Sequence, residues 1–256
     1  MCFFKNSFRS VISLLVLMTS VSSVSGQALV RDSAIIVPFF GLGAEGHIPG
    51  GDMKKRFGND YGVQAVVGVK TAKNWTYSVQ GGFISGNTIK EHGLLGGIST
   101  SSGTIIGQDG RTADVRLFER GYHISVSFGK VISFKKPNPN SGIWINGGVG
   151  FIQHKIRIET IGNNVVELKK PYRKGYDRLT NGIIAEEFLG YVYYGNRKLI
   201  NFYAGFNFIQ GFTAGRRDYQ YDTMQPYNEK RLDLLYGIKL GWILPFYTNP
   251  DKYYYY

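Results

Sequence analysis

The stretch LDLLYGIKLGWILPFY, residues 232–247, alternates between two kinds of side chain along most of its length. From Leu234 every second residue is large and apolar, whereas the residues between them include two glycines and Lys239. A period of two places the two sets on opposite faces of a β-strand. The stretch therefore predicts a strand with one apolar face and one smaller, partly charged face.

The same alternation occurs at seven earlier places in the chain. In the clearest of them, Tyr122, Ile124 and Val126 share one face, and His123 and Ser125 share the other. Together the eight stretches predict strands at 34–46, 61–71, 75–85, 121–134, 143–157, 183–195, 199–210 and 233–247. The sixth strand is ambiguous, because the adjacent Glu186 and Glu187 fall on both of its faces.

The two faces favour a membrane barrel over a soluble β-sandwich, which would also alternate. The apolar face carries aromatic residues at strand ends, as at Tyr61, Trp75, Tyr122 and Trp242, where they suit the boundary between water and lipid. The opposite face is small and polar, as the narrow lumen of a closed barrel requires. The chain has 34 glycines and only 19% charged residues. We predict an all-β fold, an eight-stranded antiparallel transmembrane β-barrel.

The connections between the predicted strands alternate strictly between short and long. Short links have sequences such as TAKN, KKPNPNSG and NRK, and long links cover about 47–60, 86–120, 158–182 and 211–232. Bacterial outer-membrane barrels have short periplasmic turns and long extracellular loops. The pattern therefore predicts an integral outer-membrane protein with both termini in the periplasm. Eight strands leave a lumen that side chains fill, which disfavours a pore for large solutes.

The first 26 residues have the pattern of a secretory signal peptide. Lys5 and Arg9 precede a short apolar run, VISLLVLM, and small residues follow it up to Gly26. We therefore expect a signal peptide at 1–26, a barrel at 27–247 and a periplasmic aromatic tail at 248–256. The single cysteine, Cys2, lies in the predicted signal, so the exported chain would have no disulfide and no thiol nucleophile.

The last strand resembles the signal by which barrel proteins are handed to the bacterial outer-membrane assembly machinery. Its outward residues would be Tyr236, Ile238, Leu240, Trp242, Leu244 and Phe246. Most such signals end the chain with an aromatic residue, whereas TNPDKYYYY follows here. Together with predicted cleavage before a glutamine, the chain resembles small outer-membrane barrels of the Bacteroidota type, with the eight-stranded architecture of OmpA and OmpX. The resemblance implies the assembly machinery as a partner.

The long loops are rich in basic residues, and the whole chain has a formal net charge of +12. One interpretation is a basic outer rim that binds anionic partners, above all lipopolysaccharide phosphates. The other is ordinary solvated loop charge near an anionic membrane surface. We predict no nucleic-acid partner for an exported barrel. The candidate binding residues are Lys54, Lys55, Arg56, Arg111, Arg116, Lys169, Lys170, Arg173, Lys174, Arg216 and Arg217.

The histidines offer candidates for chemistry near the mouth of the barrel. If Phe134 pairs with Ile143, His123 and His154 lie opposite each other, and the candidates at a similar depth are Glu45 and His47. Such a group could bind a metal or position a general base. The alternative is hydrogen-bonded histidines in a polar lumen, with Lys70, Lys239 and Glu186 or Glu187 in an internal network of ion pairs. No signature of a cofactor or of a metal site is present, and we predict neither.

The predicted architecture favours a non-enzymatic subunit of an outer-membrane protein complex, for protein secretion or barrel assembly. Its loops and lipid-facing wall would bind other outer-membrane subunits. Two alternatives stay open from the sequence: a barrel enzyme that processes lipids or peptides, and a barrel for adhesion or lipopolysaccharide binding.

Overall fold

Eight strands form a closed antiparallel barrel in the computed structural model, which describes residues 33–134, 136–163, 165–195 and 200–246. The order around the ring is β1-β10-β7-β6-β5-β4-β3-β2, and it closes where β1 pairs with β2. The eight barrel strands are β1 (Val37–Gly51), β2 (Asp60–Lys70), β3 (Trp75–Gly86), β4 (Val115–Ser133), β5 (Gly142–Thr160), β6 (Thr180–Tyr194), β7 (Asn201–Gly215) and β10 (Lys230–Pro245). The predicted eight-stranded antiparallel barrel is confirmed.

The outer wall of the barrel is a belt of exposed apolar side chains. Phe83, Val126 and Phe206 are 67%, 63% and 70% exposed, and comparable residues surround the whole barrel. A belt of this size does not face water in a soluble protein, whereas it matches the hydrocarbon core of a membrane. Because the barrel is closed, every strand has a hydrogen-bonding neighbour on both sides, as the absence of water in a bilayer requires. The fold is therefore a transmembrane barrel.

The strands extend further toward the long loops than the alternation predicted. β4 begins at Val115, not at 121, and β7 continues to Gly215, not to 210. The added part of β4 turns Arg116, Phe118 and Arg120 outward, two of them charged. Apolar alternation marks the part of a strand in contact with lipid, and backbone pairing continues beyond that part. We call this side of the barrel the loop end and the opposite side the turn end.

The register between β4 and β5 differs by two residues from the one assumed from the sequence. Ile132, not Phe134, pairs with Ile143, because the ladder ends at Ser133 and a compact turn follows. In this turn the side-chain oxygen of Asn138 accepts hydrogen bonds from the backbone N–H groups of Asn140 and Ser141. A shift of two residues keeps every side chain on its predicted face, although it changes the cross-strand neighbours.

The long loops fold over the loop end and form a cap with its own apolar core. This cap contains helix α1 (Met53–Arg56), a hairpin of β8 (Arg217–Gln220) and β9 (Gln225–Tyr227), and short 3-10 helices at Gly96–Ile98, Ile161–Asn163, Val166–Leu168 and Tyr172–Gly175. Buried residues from different loops meet in this core: Met53, Phe57, Leu94, Ile105, Leu168 and Tyr176. The core continues into the lumen, where it includes Ile152 and Ile156 of β5.

No helix in the described ranges is long and apolar enough to cross a membrane. The predicted signal peptide at 1–26, Tyr247 and the predicted tail at 248–256 lie outside the described residues.

Candidate functional site

A chain of acidic and basic side chains crosses the lumen. Its first link is the ion pair between Lys239 and Glu186, with Nζ and Oε1 2.7 Å apart. Ser125 donates a 2.6 Å hydrogen bond to the other carboxylate oxygen, which lies 3.9 Å from Nδ1 of His123. The sixth strand therefore turns Glu186 into the lumen, which resolves its ambiguity, and the predicted ion-pair network includes this residue and Lys239.

The chain continues from His123 toward the loop end. Nε2 of His123 lies 3.0 Å from Oε1 of Glu45, and the second oxygen of Glu45 is 3.9 Å from Nε2 of His47. Nδ1 of His47 lies 2.7 Å from Oδ1 of Asp60. All of these side chains are fully buried. The arrangement compensates buried charge in a space closed to water.

His154 belongs to a different cluster from His123. Its partner is Asp233, with Nε2 2.9 Å from Oδ2, and Thr213 donates to the same carboxylate. The cross-strand partner of His123 is Ile152, and that of His154 is Gly121. The predicted His123–His154 pair is therefore wrong, because the turn after β4 sets the other register.

The geometry gives the four catalytic candidates no access from outside. Glu45, His47, His123 and His154 are at most 4% exposed and lie beneath the cap. Their catalytic role stays a prediction. In the described part of the chain, no group of three His, Cys, Asp or Glu residues has the arrangement of a metal site.

The lower lumen is filled by aromatic side chains and closed by a lysine. Trp144 packs edge-on against Phe39, Phe188 and Tyr203, with ring centroids 5.4–6.2 Å apart. Below them the ammonium group of Lys70 donates to backbone and amide oxygens at the turn end. A lumen filled in this way leaves no path for a large solute.

Two buried arginines join the loops of the cap. Arg56 donates to Glu91 at 2.6 Å and to the hydroxyl of Tyr227 at 2.6 Å. Arg178 binds the same Glu91 and also Asp222. Burial opposes the charged form of Arg56, yet Glu91 and Tyr227 raise the pKa of its guanidinium above the ordinary value. These contacts link all four loops, so the cap is one folded unit.

The predicted basic residues differ in how exposed they are. Arg56 is only 5% exposed, so its predicted contact with an external anion is wrong, because its charge is used inside the cap. Arg217 is half-buried and pairs with Asp177. Lys169 and Arg173 are also half-buried, whereas the remaining predicted cations are exposed: Lys54, Lys55, Arg111, Arg116, Lys170, Lys174 and Arg216.

The cap also exposes a cluster of aromatic and sulfur side chains, which we call the tyrosine patch. It consists of Tyr172, Tyr219, Tyr221 and Met224, which are 52%, 44%, 37% and 68% exposed. A cavity of about 340 Å³ opens beside it between Tyr172 and Tyr221. Tyrosine and methionine are enriched in protein interfaces. The sequence alone does not indicate this clustering, because it depends on the hairpin of β8 and β9.

A carboxylate faces lipid in the middle of the apolar belt. Glu187 is exposed on the outer wall, and Gln210 donates to its two oxygens at 3.3 and 3.4 Å. Ile183 and Tyr191 lie on the same face of β6, each roughly 13 Å away along the strand. The cross-strand neighbour on β5 is Gly147, beside which the wall is open. Only the structure places Glu187 outside, because alternation alone permitted either face.

The predicted assembly-signal residues lie on the outer wall of β10. Tyr236, Ile238, Leu240, Trp242 and Phe246 are exposed and Leu244 is half-buried. The ring of Tyr236 stacks on Phe208 of β7, with centroids 4.7 Å apart. The faces are as predicted, and recognition by assembly machinery stays a prediction.

Comparison with known proteins found similarity among solved structures. No protein-family model matches the sequence, and no curated protein matches it. Among solved structures, it is similar to Ail of Yersinia pestis in complex with the heparin analogue sucrose octasulfate, at 10% identity and TM-score 0.39, covering 82% of this chain and 99% of that one. It is also similar to the N-terminal barrel domain of Pseudomonas aeruginosa OprF, at 11% identity and TM-score 0.34, covering 81% and 96%. The outer membrane protein OprG from Pseudomonas aeruginosa is similar at 11% identity and TM-score 0.35, covering 86% of this chain and 100% of that one.

Proposed function

We propose that the protein is a non-enzymatic, integral outer-membrane barrel that serves as a subunit of a larger outer-membrane protein complex. Its long loops face the cell exterior and both termini face the periplasm. The complex acts in protein secretion or in barrel assembly. A filled lumen supports a role other than transport, since a solute has no route through the side chains around Trp144.

The observation that carries the proposal is Glu187 in the lipid-facing wall. An acidic side chain in mid-membrane costs up to about 3 kcal/mol. Gln210 is its one hydrogen-bonding neighbour among the described residues, and a neutral amide compensates this cost only in part. A second transmembrane protein that offers a donor group would satisfy the carboxylate. The open wall beside Gly147 leaves room for such a group.

The tyrosine patch supports a second contact with the same complex, at the loop end. Tyr172, Tyr219 and Tyr221 present large rigid rings on a cap that the Arg56 and Arg178 ion pairs hold together. Ordered aromatic residues lose little entropy on binding, which favours a protein partner.

Site-specific photo-cross-linking in living cells tests the proposal. We would place a photoreactive phenylalanine at Ala185, which lies next to Glu187 on the outer face of β6, and at Val67 on β2. β2 lies across the ring from β6. We expect a cross-link to another outer-membrane protein from position 185 and none from position 67.

The Glu187→Leu variant then separates binding from folding. Removing a lipid-facing carboxylate should leave the isolated barrel as stable as the wild type, or more so, yet abolish the cross-link from position 185. Equal cross-linking from positions 185 and 67, or a cross-link that survives Glu187→Leu, would contradict the proposal. A product of twice the monomer mass would show that the partner is a second copy, and would also contradict a complex of different subunits.

A further inference from the structure

Two cations face outward side by side on the barrel wall, just beyond the apolar belt. Arg120 of β4 and Lys155 of β5 are directly opposed in the ladder. Like charges at opposed positions repel and destabilise a sheet. Within the described ranges, no ion pair of either residue with a carboxylate is found, whereas nearby Arg116 pairs with Asp114 and Arg157 pairs with Glu159.

These cations line a groove on the outer surface of β4 and β5. Its volume is about 910 Å³, and its lining also includes Lys170 and Arg173 of the cap and the carboxylates of Glu159 and Asp177. The guanidinium of Arg120 lies over the ring of Phe118, 5.0 Å from its centroid, and donates to the backbone oxygen of Glu119. These contacts fix the position of the Arg120 side chain and leave its remaining N–H groups for a ligand.

The apolar belt begins immediately below the two cations. Tyr122 is the next outward residue of β4, and its ring lies 6.5 Å from that of Phe151. Ile124 follows toward the membrane centre, and Phe83 of β3 lies opposite Tyr122; the two are 50% and 67% exposed. A ligand of this surface therefore needs an anionic head at the level of Arg120 and Lys155, with hydrocarbon chains directly beneath it.

We propose that this wall is a binding site for a lipid with a phosphorylated headgroup, whose phosphate lies between Arg120 and Lys155. The guanidinium binds two phosphate oxygens as a fork, and the lysine adds a point charge. The acyl chains lie along Tyr122, Ile124 and Phe83. The site does not depend on the proposed subunit function, which concerns the wall around Glu187. The two lipid chemistries that meet these requirements are a phosphorylated lipid A and a glycerophospholipid.

Native mass spectrometry of the full mature chain in an uncharged detergent tests the site. The probes are lipid A with two phosphates, the same lipid A without phosphates, and phosphatidylglycerol. We expect a phosphate-bearing probe to bind at least about tenfold more tightly than dephosphorylated lipid A. The Arg120→Gln/Lys155→Gln variant should lose this preference. The matched control, Lys54→Gln/Lys230→Gln, removes the same charge from exposed positions elsewhere and should keep it.

Each outcome decides the proposal. Preferential binding of phosphorylated lipid A identifies the outer-leaflet lipid, and preferential binding of phosphatidylglycerol identifies a glycerophospholipid. Either supports the site if it requires Arg120 and Lys155. Equal binding with and without phosphate, or equal losses in the two double variants, would overturn it. Should the double glutamine variant not fold, Arg120→Lys and Arg120→Gln singly serve instead, since only the first keeps the charge.

Discussion

Lys239 and Glu186 form an ion pair across the lumen, with Nζ and Oε1 2.7 Å apart, although their strands β10 and β6 are not neighbours. Both side chains are at most 3% exposed. The pair therefore connects two strands that both pair with β7 but not with each other. It also sets the charge balance on which His123 and Glu45 depend.

Removing one partner of this pair should be costly. We expect Lys239→Met or Glu186→Gln to lower the free energy of unfolding by about 3–5 kcal/mol, because the remaining group stays buried without its partner. The double variant should lose less than the sum of the two. Urea unfolding in detergent micelles measures the free energies of the wild type, the two single variants and the double variant. Additive losses of unfolding free energy would show that the two residues do not interact. Lys54→Met, at an exposed position, is the control.

The cap should loosen when Arg178 is replaced. Arg178→Gln removes the ion pairs to Glu91 and Asp222, so that the half-buried Asp222 loses its ion pair while Glu91 keeps only the one with Arg56. The opening free energy of backbone amides in 87–114 and 216–229, measured by hydrogen exchange, should fall by about 1–3 kcal/mol. Arg116→Gln, which breaks only an exposed pair, should leave this opening free energy close to the wild-type value. Unchanged protection in Arg178→Gln would mean that the apolar core alone orders the cap.

Two glycines of the barrel wall should respond differently to a methyl group. A Cβ at Gly205 would press on the backbone of Gly190 and Leu189, whereas a Cβ at Gly147 would contact nothing within 4 Å. Gly205→Ala should therefore destabilise the barrel by about 1–3 kcal/mol, as overpacking does. Gly147→Ala should be close to neutral in the same unfolding measurement. Equal effects would show that strand flexibility, and not space, decides the cost.

Asp52 should titrate below the ordinary range for an aspartate. Hydrogen bonds from Lys55 and from the backbone N–H of Leu232 lower its pKa. The stability contributed by its ionised form is thus present above about pH 3.9 and is lost as the pH falls through the lowered pKa. Carbon NMR of the side-chain carboxyl measures the pKa of Asp52. Lys55→Ala should raise this pKa toward the ordinary value, and Lys54→Ala should leave it unchanged. The reverse result would show that Lys55 does not lower the pKa of Asp52.

The sequence was sufficient for the barrel because lipid imposes a strict rule on every second residue. Val67, Val126 and Trp242 could be assigned to the outer face from period two alone, and the glycines opposite them indicated a narrow interior. Outside the membrane, outward residues need not be apolar. For that reason the first six residues of β4, in which Arg116 and Arg120 point outward, were predicted as loop.

The lumen clusters could be predicted only in part. Alternation shows which face of a strand each side chain occupies, so both His123 and His154 were expected to point into the lumen. Their partners depend on register and on strands distant in sequence, as with Asp233 for His154. Arg56 shows the same limit, since its burial depends on Glu91 in another loop. Glu187 was undetermined because two adjacent glutamates satisfy either orientation.

The extension of β4 and β5 beyond the lipid has a consequence for what the molecule can reach. From Tyr122 to Val115 the ladder continues for roughly 23 Å of strand past the aromatic boundary. The two loops that these strands carry, 87–114 and 161–179, therefore start from paired backbone beyond the aromatic boundary, and a partner protein can contact the exposed Tyr172 in the second of them without entering the apolar belt.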